Sequence, residues 1–84
     1  MWGIMQDSFY YKVDSHNDIK SIYRLVVDDA TQSIFELIWL DGRWQPTEGL
    51  VGMIMGGEFF LEPVTREVVE RVTPYVNTET FRPE

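Results

Sequence analysis

Apolar residues in the first half of the chain are concentrated in three segments, residues 8–14, 20–27 and 33–40. Val, Ile, Tyr, Phe and Trp dominate these segments, and such side chains are enriched in strands because they fit a pleated, half-buried surface. The polar runs between them consist of Asp, Asn, Ser, Thr and Gln, which favour turns, and they are of hairpin length. The pattern therefore predicts three strands that form an antiparallel meander.

Cross-strand pairing gives an expected register for this meander. If Phe9, Leu25 and Phe35 lie opposite one another, one face of the sheet is apolar throughout. The same alignment places Arg24 directly opposite Glu36 on the other face, so that unlike charges meet. A slip of one residue would move each apolar set to the opposite face, and we therefore expect this register.

A short helix is predicted after the third strand. Thr47 is placed as its N-cap, Leu50, Met53 and Ile54 share one face, and Gly56-Gly57 ends it.

Residues 58–62 predict a fourth strand, and Thr65 is placed to cap a second helix over residues 66–72. The fold class is therefore α+β: a single domain over residues 1–74 with an antiparallel sheet of three to four strands (β-β-β-α-β-α) and two short helices. Residues 75–84 are expected to form a flexible C-terminal tail, and the alternative is that Tyr75 and Phe81 dock on the domain.

Composition limits the possible partners. The 84 residues include fourteen Asp and Glu but only seven Lys and Arg, which gives a net charge of −7. Proteins that bind nucleic acid neutralise phosphates with clustered cations, so no nucleic acid is expected as a partner. The absence of Cys is typical of proteins that fold inside the cell, and a cytoplasmic location is expected.

The N-terminal residues carry neither a basic stretch nor an apolar core with a cleavage site, so no secretory signal is predicted, and either Met1 or Met5 can serve as the translation start. The longest apolar stretch, residues 49–57, is shorter than the roughly 20 residues that a membrane helix requires. No membrane association is therefore expected.

No constellation of residues predicts catalysis. The glycines of residues 49–57 precede Glu58, where a phosphate-binding loop would have Lys followed by Ser or Thr. His16 is the single histidine, it lies in a predicted turn, and no Cys accompanies it to complete a zinc site. We therefore expect no enzyme activity, no cofactor and no metal.

The second face of the predicted sheet is apolar enough to require a cover, which makes it a candidate interface with a protein partner or in a homodimer. Trp39 and Trp44 flank a turn beside it, and Trp is common among residues that dominate binding energy. The candidate interface residues are Tyr10, Ile22, Arg24, Val26, Ile34, Glu36, Ile38, Trp39 and Trp44. The alternative is that the helices, the tail or the fourth strand cover both faces within the chain.

Two other functions remain open at this point. An acidic DNA mimic, or another inhibitory protein of a mobile element, would present its carboxylates on one surface at the spacing of phosphates. The acids for that surface would be Asp28, Asp29, Asp41, Glu48, Glu58 and Glu62. A small-ligand binder or enzyme would need a deep pocket near Trp44 and the glycine-rich helix.

Four short motifs resemble those of small uncharacterised bacterial α+β proteins. They are a Tyr-rich first strand, Tyr23-Arg24-Leu25, Asp41-Gly42-Arg43-Trp44, and the helix start Val64-Thr65-Arg66-Glu67. The resemblance covers residues 8–72 and implies a shared layout. It implies no catalytic or binding residues.

Overall fold

The computed structural model describes residues 5–57 and 60–82. Among these residues the sheet has five strands in the order β4-β3-β2-β1-β5, and every neighbouring pair is antiparallel. Two short helices complete the fold, so the predicted α+β class is confirmed. The elements are β1 (Met5–Val13), β2 (Ile19–Asp28), β3 (Ser33–Leu40), β4 (Arg43–Pro46), α1 (Leu50–Met55), β5 (Leu61–Val64) and α2 (Arg66–Val72).

The predicted count of three to four strands is wrong, because β4 was not recognised as a strand. Asp41 and Gly42 both have positive φ, at 54° and 76°, which is the backbone of a tight hairpin turn. The turn folds β4 back along β3 and sets Trp44 directly opposite Trp39. A strand of four residues is too short to show a periodic pattern of its own, so the Asp-Gly turn was its only signal.

The predicted register is wrong by one residue on both sides of β2. Arg24, not Leu25, lies opposite Phe9, and Leu25 lies opposite Glu36. The prediction assumed that each charge meets its counter-charge directly across the ladder. Arg24 instead reaches diagonally to Asp7, whose own partner in the ladder is Val26. This diagonal ion pair allows a charged residue to lie on the face that carries the core.

The two helices cover opposite faces of the sheet. We call the faces the α2 face and the α1 face. Helix α2 and the following chain cover the α2 face, where the core cluster consists of Phe9, Tyr11, Val13, Ile22, Val69 and Val76. Helix α1 lies against β2 and β3 on the other side, and its Leu50 is fully buried. Both apolar faces are thus covered, at least in part, within the chain, as the alternative in the sequence analysis proposed.

Thr65 is the N-cap of α2, as predicted: its side chain accepts a hydrogen bond from the Val68 N–H at 3.2 Å. The prediction that Thr47 caps α1 is wrong. Gly49 holds that position with φ of 85°, a left-handed conformation that suits glycine. The Thr47 N–H donates instead to the Glu36 carbonyl. The Glu36 carboxylate accepts from the Val51 N–H at the start of α1.

Residues 75–82 form neither a helix nor a strand. Val76, Asn77, Glu79 and Phe81 contact residues of the α2 face. Val76 is 5% exposed within the core, and the ring of Phe81 lies 5.3 Å from that of Phe35 between centroids. The flexibility expected for residues 75–84 stays a prediction. None of the described helices is long and apolar enough to cross a membrane.

Candidate functional site

The nine predicted interface residues do not share one surface. Because β2 is shifted by one residue relative to the prediction, its members lie on the opposite face from Tyr10 of β1 and from the even-numbered members of β3. Ile22, Arg24, Val26, Trp39 and Trp44 lie on the α2 face, and Tyr10, Ile34, Glu36 and Ile38 lie on the α1 face.

On the α1 face, the predicted residues differ in exposure. Tyr10 lines a cavity of about 290 Å³ together with Met53 and Ile54 of α1. Glu36 is engaged with the start of α1, whereas Ile34 remains 58% exposed at the other end of β3. Helix α1 therefore covers part of this face, and the apolar surface that remains exposed lies at the margin of the face.

On the α2 face, Arg24 is the centre of the polar contacts. It is 1% exposed, and both of its donors toward Asp7 are satisfied: Nε donates to Oδ1 at 2.8 Å and Nη2 donates to Oδ2. Arg66 at the start of α2 donates to the same Oδ2 at 3.0 Å. Two guanidinium groups therefore share one carboxylate, which leaves the cluster with a net positive charge.

The same Arg24 guanidinium makes the connection to the chain that follows α2. Its Nη2 donates to the main-chain carbonyl of Glu79 at 2.7 Å. Its Cζ lies 5.0 Å from the ring centroid of Phe9, 5.5 Å from that of Trp44 and 6.0 Å from that of Phe81. These distances are within the reach of cation–π attraction, so the rings help to hold a charge that burial would otherwise penalise.

Trp44 supplies a second donor on this face. Its indole Nε1 donates to the main-chain carbonyl of Asn77 at 2.6 Å. The ring is positioned by an edge-to-face contact with Trp39, 5.2 Å between centroids, and by a tilted contact with Phe9 at 6.1 Å. The main-chain carbonyls of Asn77 and Glu79 thus accept hydrogen bonds from side chains of two different strands, β4 and β2.

We call this surface the carbonyl-binding groove: Arg24, Phe35, Leu37 and Trp44, over which residues 77–82 lie. Beside it an open cavity of about 540 Å³ is lined by Leu37, Arg43, Trp44, Gln45, Pro46, Phe81 and Arg82. This cavity is open and no residue of the glycine-rich helix lines it, so it is not the deep pocket near Trp44 and that helix which a ligand binder would require. Its titratable lining residues are arginines, with no acid or histidine among the residues that the structure describes.

The His16 loop is a solvated turn. The Asp14 carboxylate accepts from the backbone N–H groups of Asp18 and His16, both at 2.9 Å, and Lys20 lies 3.4 Å away. The hydrogen bond from Asp18, followed by those from His16 and Lys20, lowers the pKa of Asp14 below its ordinary value of 3.8. Over residues 5–57 and 60–82, no group of three or more His, Cys, Asp or Glu is arranged to hold a metal ion.

Four of the acids named for a DNA mimic lie at different ends and edges of the sheet. Asp28 and Asp29 lie where β2 ends, whereas Asp41 lies beyond the far end of β3, which at about 3.3 Å per residue is roughly 25 Å long. Glu62 is in β5, at the opposite edge of the sheet from β4. Glu58 lies outside the described residues.

Sequence reasoning missed Asp7 and, apart from the alternative that Phe81 docks, the segment 77–82. Asp7 was not recognised because its partner Arg24 was assigned to Glu36 by the wrong register. The segment had one usable signal, which is the apolar pair Val76 and Phe81 in an otherwise polar run.

No family model, curated protein or solved structure matches this chain. The resemblance to small bacterial proteins therefore stays a prediction.

Proposed function

We propose that this chain is a non-enzymatic protein-binding domain that takes up a short linear segment of a partner protein in the carbonyl-binding groove, where residues 77–82 now lie. One observation carries the proposal: Trp44 and Arg24 donate to main-chain carbonyls of the segment, not to its side chains. Every polypeptide presents such carbonyls, so a segment of another protein can accept the same two hydrogen bonds.

Both donors are also held by contacts that do not involve the segment. Arg24 is fixed by two hydrogen bonds to Asp7, and Trp44 is held between Phe9 and Trp39. Because they project from strands of the sheet, their positions do not depend on a loop. A preformed site loses little conformational freedom on binding, and this favours recognition of a flexible partner.

Residues 77–82 are suited to leave the groove. The side chains of Asn77, Glu79 and Thr80 are exposed, and Phe81 is only partly buried. Ordering the backbone costs about 1–2 kcal/mol for each residue. A hydrogen bond contributes a net of about 0.5–1.5 kcal/mol, and about 1.5–3 kcal/mol when one partner is charged. A segment held at few points is therefore bound weakly and can be exchanged.

Peptide titration tests this proposal. The probe is a peptide of residues 76–82, Val-Asn-Thr-Glu-Thr-Phe-Arg, capped at both ends. It is added to the ¹⁵N-labelled full chain and to its Phe81→Ala variant, in which the internal segment has lost its ring contact. A saturable shift of the Trp44 indole N–H resonance is expected, and the variant should saturate at a lower peptide concentration. The reason is that the added peptide competes with the internal segment, whose effective concentration is in the millimolar range in the full chain.

Trp44→Phe, introduced into the Phe81→Ala variant, is the matched control, since it keeps an aromatic ring but removes the indole donor. Binding, now followed through the amide resonances of β3, is expected to weaken. If Phe81→Ala shows no saturable shift at millimolar peptide, the proposal is wrong. Light scattering at increasing protein concentration detects the other outcome, a homodimer in which two copies exchange residues 77–82, and such a dimer would identify a second copy as the partner.

A further inference from the structure

The ring of Phe81 is only partly buried, and it lines both the 540 Å³ cavity beside Trp44 and a second open cavity of about 390 Å³. Leu37 and Pro46 also line both cavities, and we call the two cavities together the trough. The second cavity is lined by Ile34, Phe35, Glu36, Leu37, Pro46, Thr47 and Phe81. A larger aromatic side chain at this position would contact more of the trough.

The position of the Arg24 guanidinium also favours a larger aromatic side chain at position 81. The Arg24 Cζ lies 6.0 Å from the Phe81 centroid, at the outer limit of cation–π attraction, and it is closer to Phe9 and Trp44. Among aromatic side chains, Trp binds a cation most strongly, and its ring system is larger than that of Phe. The guanidinium itself cannot follow, because Asp7 holds it by two hydrogen bonds.

From these two observations we infer that the partner segment carries a tryptophan where this chain has Phe81, and that residues 77–82 are an internal, weaker competitor for the groove. This inference rests on the proposed function. The partner segment presents two main-chain carbonyls, spaced as those of Asn77 and Glu79 are, followed by the indole two residues later. The internal segment thereby sets a threshold: a partner binds only as far as it outcompetes Phe81.

The Phe81→Trp substitution tests the inference twice, once in the added peptide and once in the chain itself. Two capped peptides are compared: the sequence of residues 76–82, and the same sequence with Phe81→Trp. In the Phe81→Ala protein, the second peptide is expected to bind about threefold more tightly or better, which is the effect of a stronger cation–π contact. In the full chain, the same Phe81→Trp change should strengthen the internal segment, and so raise the melting temperature and weaken binding of both peptides.

Tyr75→Trp is the matched control for the substitution in the chain, because it introduces the same side chain two residues before the segment, at a residue that is 67% exposed. It should leave peptide affinity unchanged. The Phe81→Trp protein keeps a ring in the trough, so its result is readable even if Phe81→Ala does not fold.

The outcomes separate the inference from the proposed function. If neither peptide binds, the proposed function fails. If both bind with equal affinity, or if Phe81→Trp in the chain does not weaken their binding, the groove binds segments without this preference and the inference is overturned.

Discussion

Replacing Asp7 by Ala is the strongest perturbation of the α2 face, because it leaves a buried charge without its counter-charge. Arg24 is 1% exposed, and Asp7 is the one carboxylate among the described residues that it contacts. After the substitution, its guanidinium retains the Glu79 carbonyl and the surrounding rings, neither of which carries a negative charge. This charge reaches solvent only if residues 77–82, which lie over it, leave the groove or if the core cluster beside it opens.

The expected magnitude is large relative to the stability of the domain. Removing one partner of a buried ion pair costs about 3–5 kcal/mol. A domain of 84 residues has a total free energy of unfolding of about 4–13 kcal/mol, from 0.05–0.15 kcal/mol per residue. Asp7→Ala is therefore expected to remove about 3 kcal/mol, which lowers the melting temperature by about 12–24 °C in a domain of this size.

Removing Arg24 instead of Asp7 should cost less stability. In Arg24→Met, Asp7 keeps its hydrogen bond from Arg66, whose side chain is 43% exposed, and the carboxylate itself is 15% exposed. The double variant buries no charge at this site, and replacing a buried pair by apolar residues is often neutral. We therefore expect Asp7→Ala to be the least stable of the three proteins, and the double variant to be close to Arg24→Met.

Urea unfolding, followed by tryptophan fluorescence and circular dichroism, measures these differences through the change in midpoint at constant slope. Two results would refute the reasoning. One is a loss below about 1 kcal/mol for Asp7→Ala, the level of an exposed ion pair. The other is a double variant whose loss equals the sum of the two single losses, which would mean that the groups do not interact.

Three further predictions concern other parts of the fold. Thr65→Ala removes the side-chain cap of α2 and should cost about 1 kcal/mol, measured by urea unfolding, with Thr65→Ser as a control that keeps the hydroxyl. Tyr11→Phe removes a buried hydroxyl that is hydrogen-bonded to the Thr73 hydroxyl at 2.7 Å, and should cost about 1–2 kcal/mol by the same assay. Asp14 has a lowered pKa, so its stabilising effect is present above pH 3.8 and is lost as the pH falls through the folded-state value. An NMR titration of its carboxyl carbon should give a midpoint below 3.8, and a midpoint at or above 3.8 would contradict the turn geometry.

The proposed partner binding and the stability of the α2 face are linked through Arg24. The residue that donates to the segment is also the residue that Asp7 neutralises, so a partner that supplies a carbonyl satisfies a buried donor which the open groove would leave unpaired. We therefore expect Arg24→Met to weaken peptide binding as well as stability, whereas Thr65→Ala should affect stability alone.

Local chemistry was sufficient where an element depends on its own residues. The first three strands follow from their β-branched and aromatic content, and α2 begins at the predicted cap because Thr65 supplies its hydroxyl within the same turn. In the same way, the turn around His16 follows from residues that accept or donate to neighbours a few positions away.

Only the tertiary structure decided which residues face one another. A shift of one residue exchanges the two faces of β2, and the sequence offered a plausible charge pair, Arg24 with Glu36, for the wrong register. The correct register depends on Asp7, which comes diagonally beside Arg24 only once β1 and β2 have paired, and on α2, which brings Arg66 to the same carboxylate. The carbonyl-binding groove belongs to this second class, because it joins side chains from β2 and β4 to main-chain carbonyls far along the chain. No local sequence pattern predicts which carbonyls these side chains bind, since a carbonyl is present at every residue.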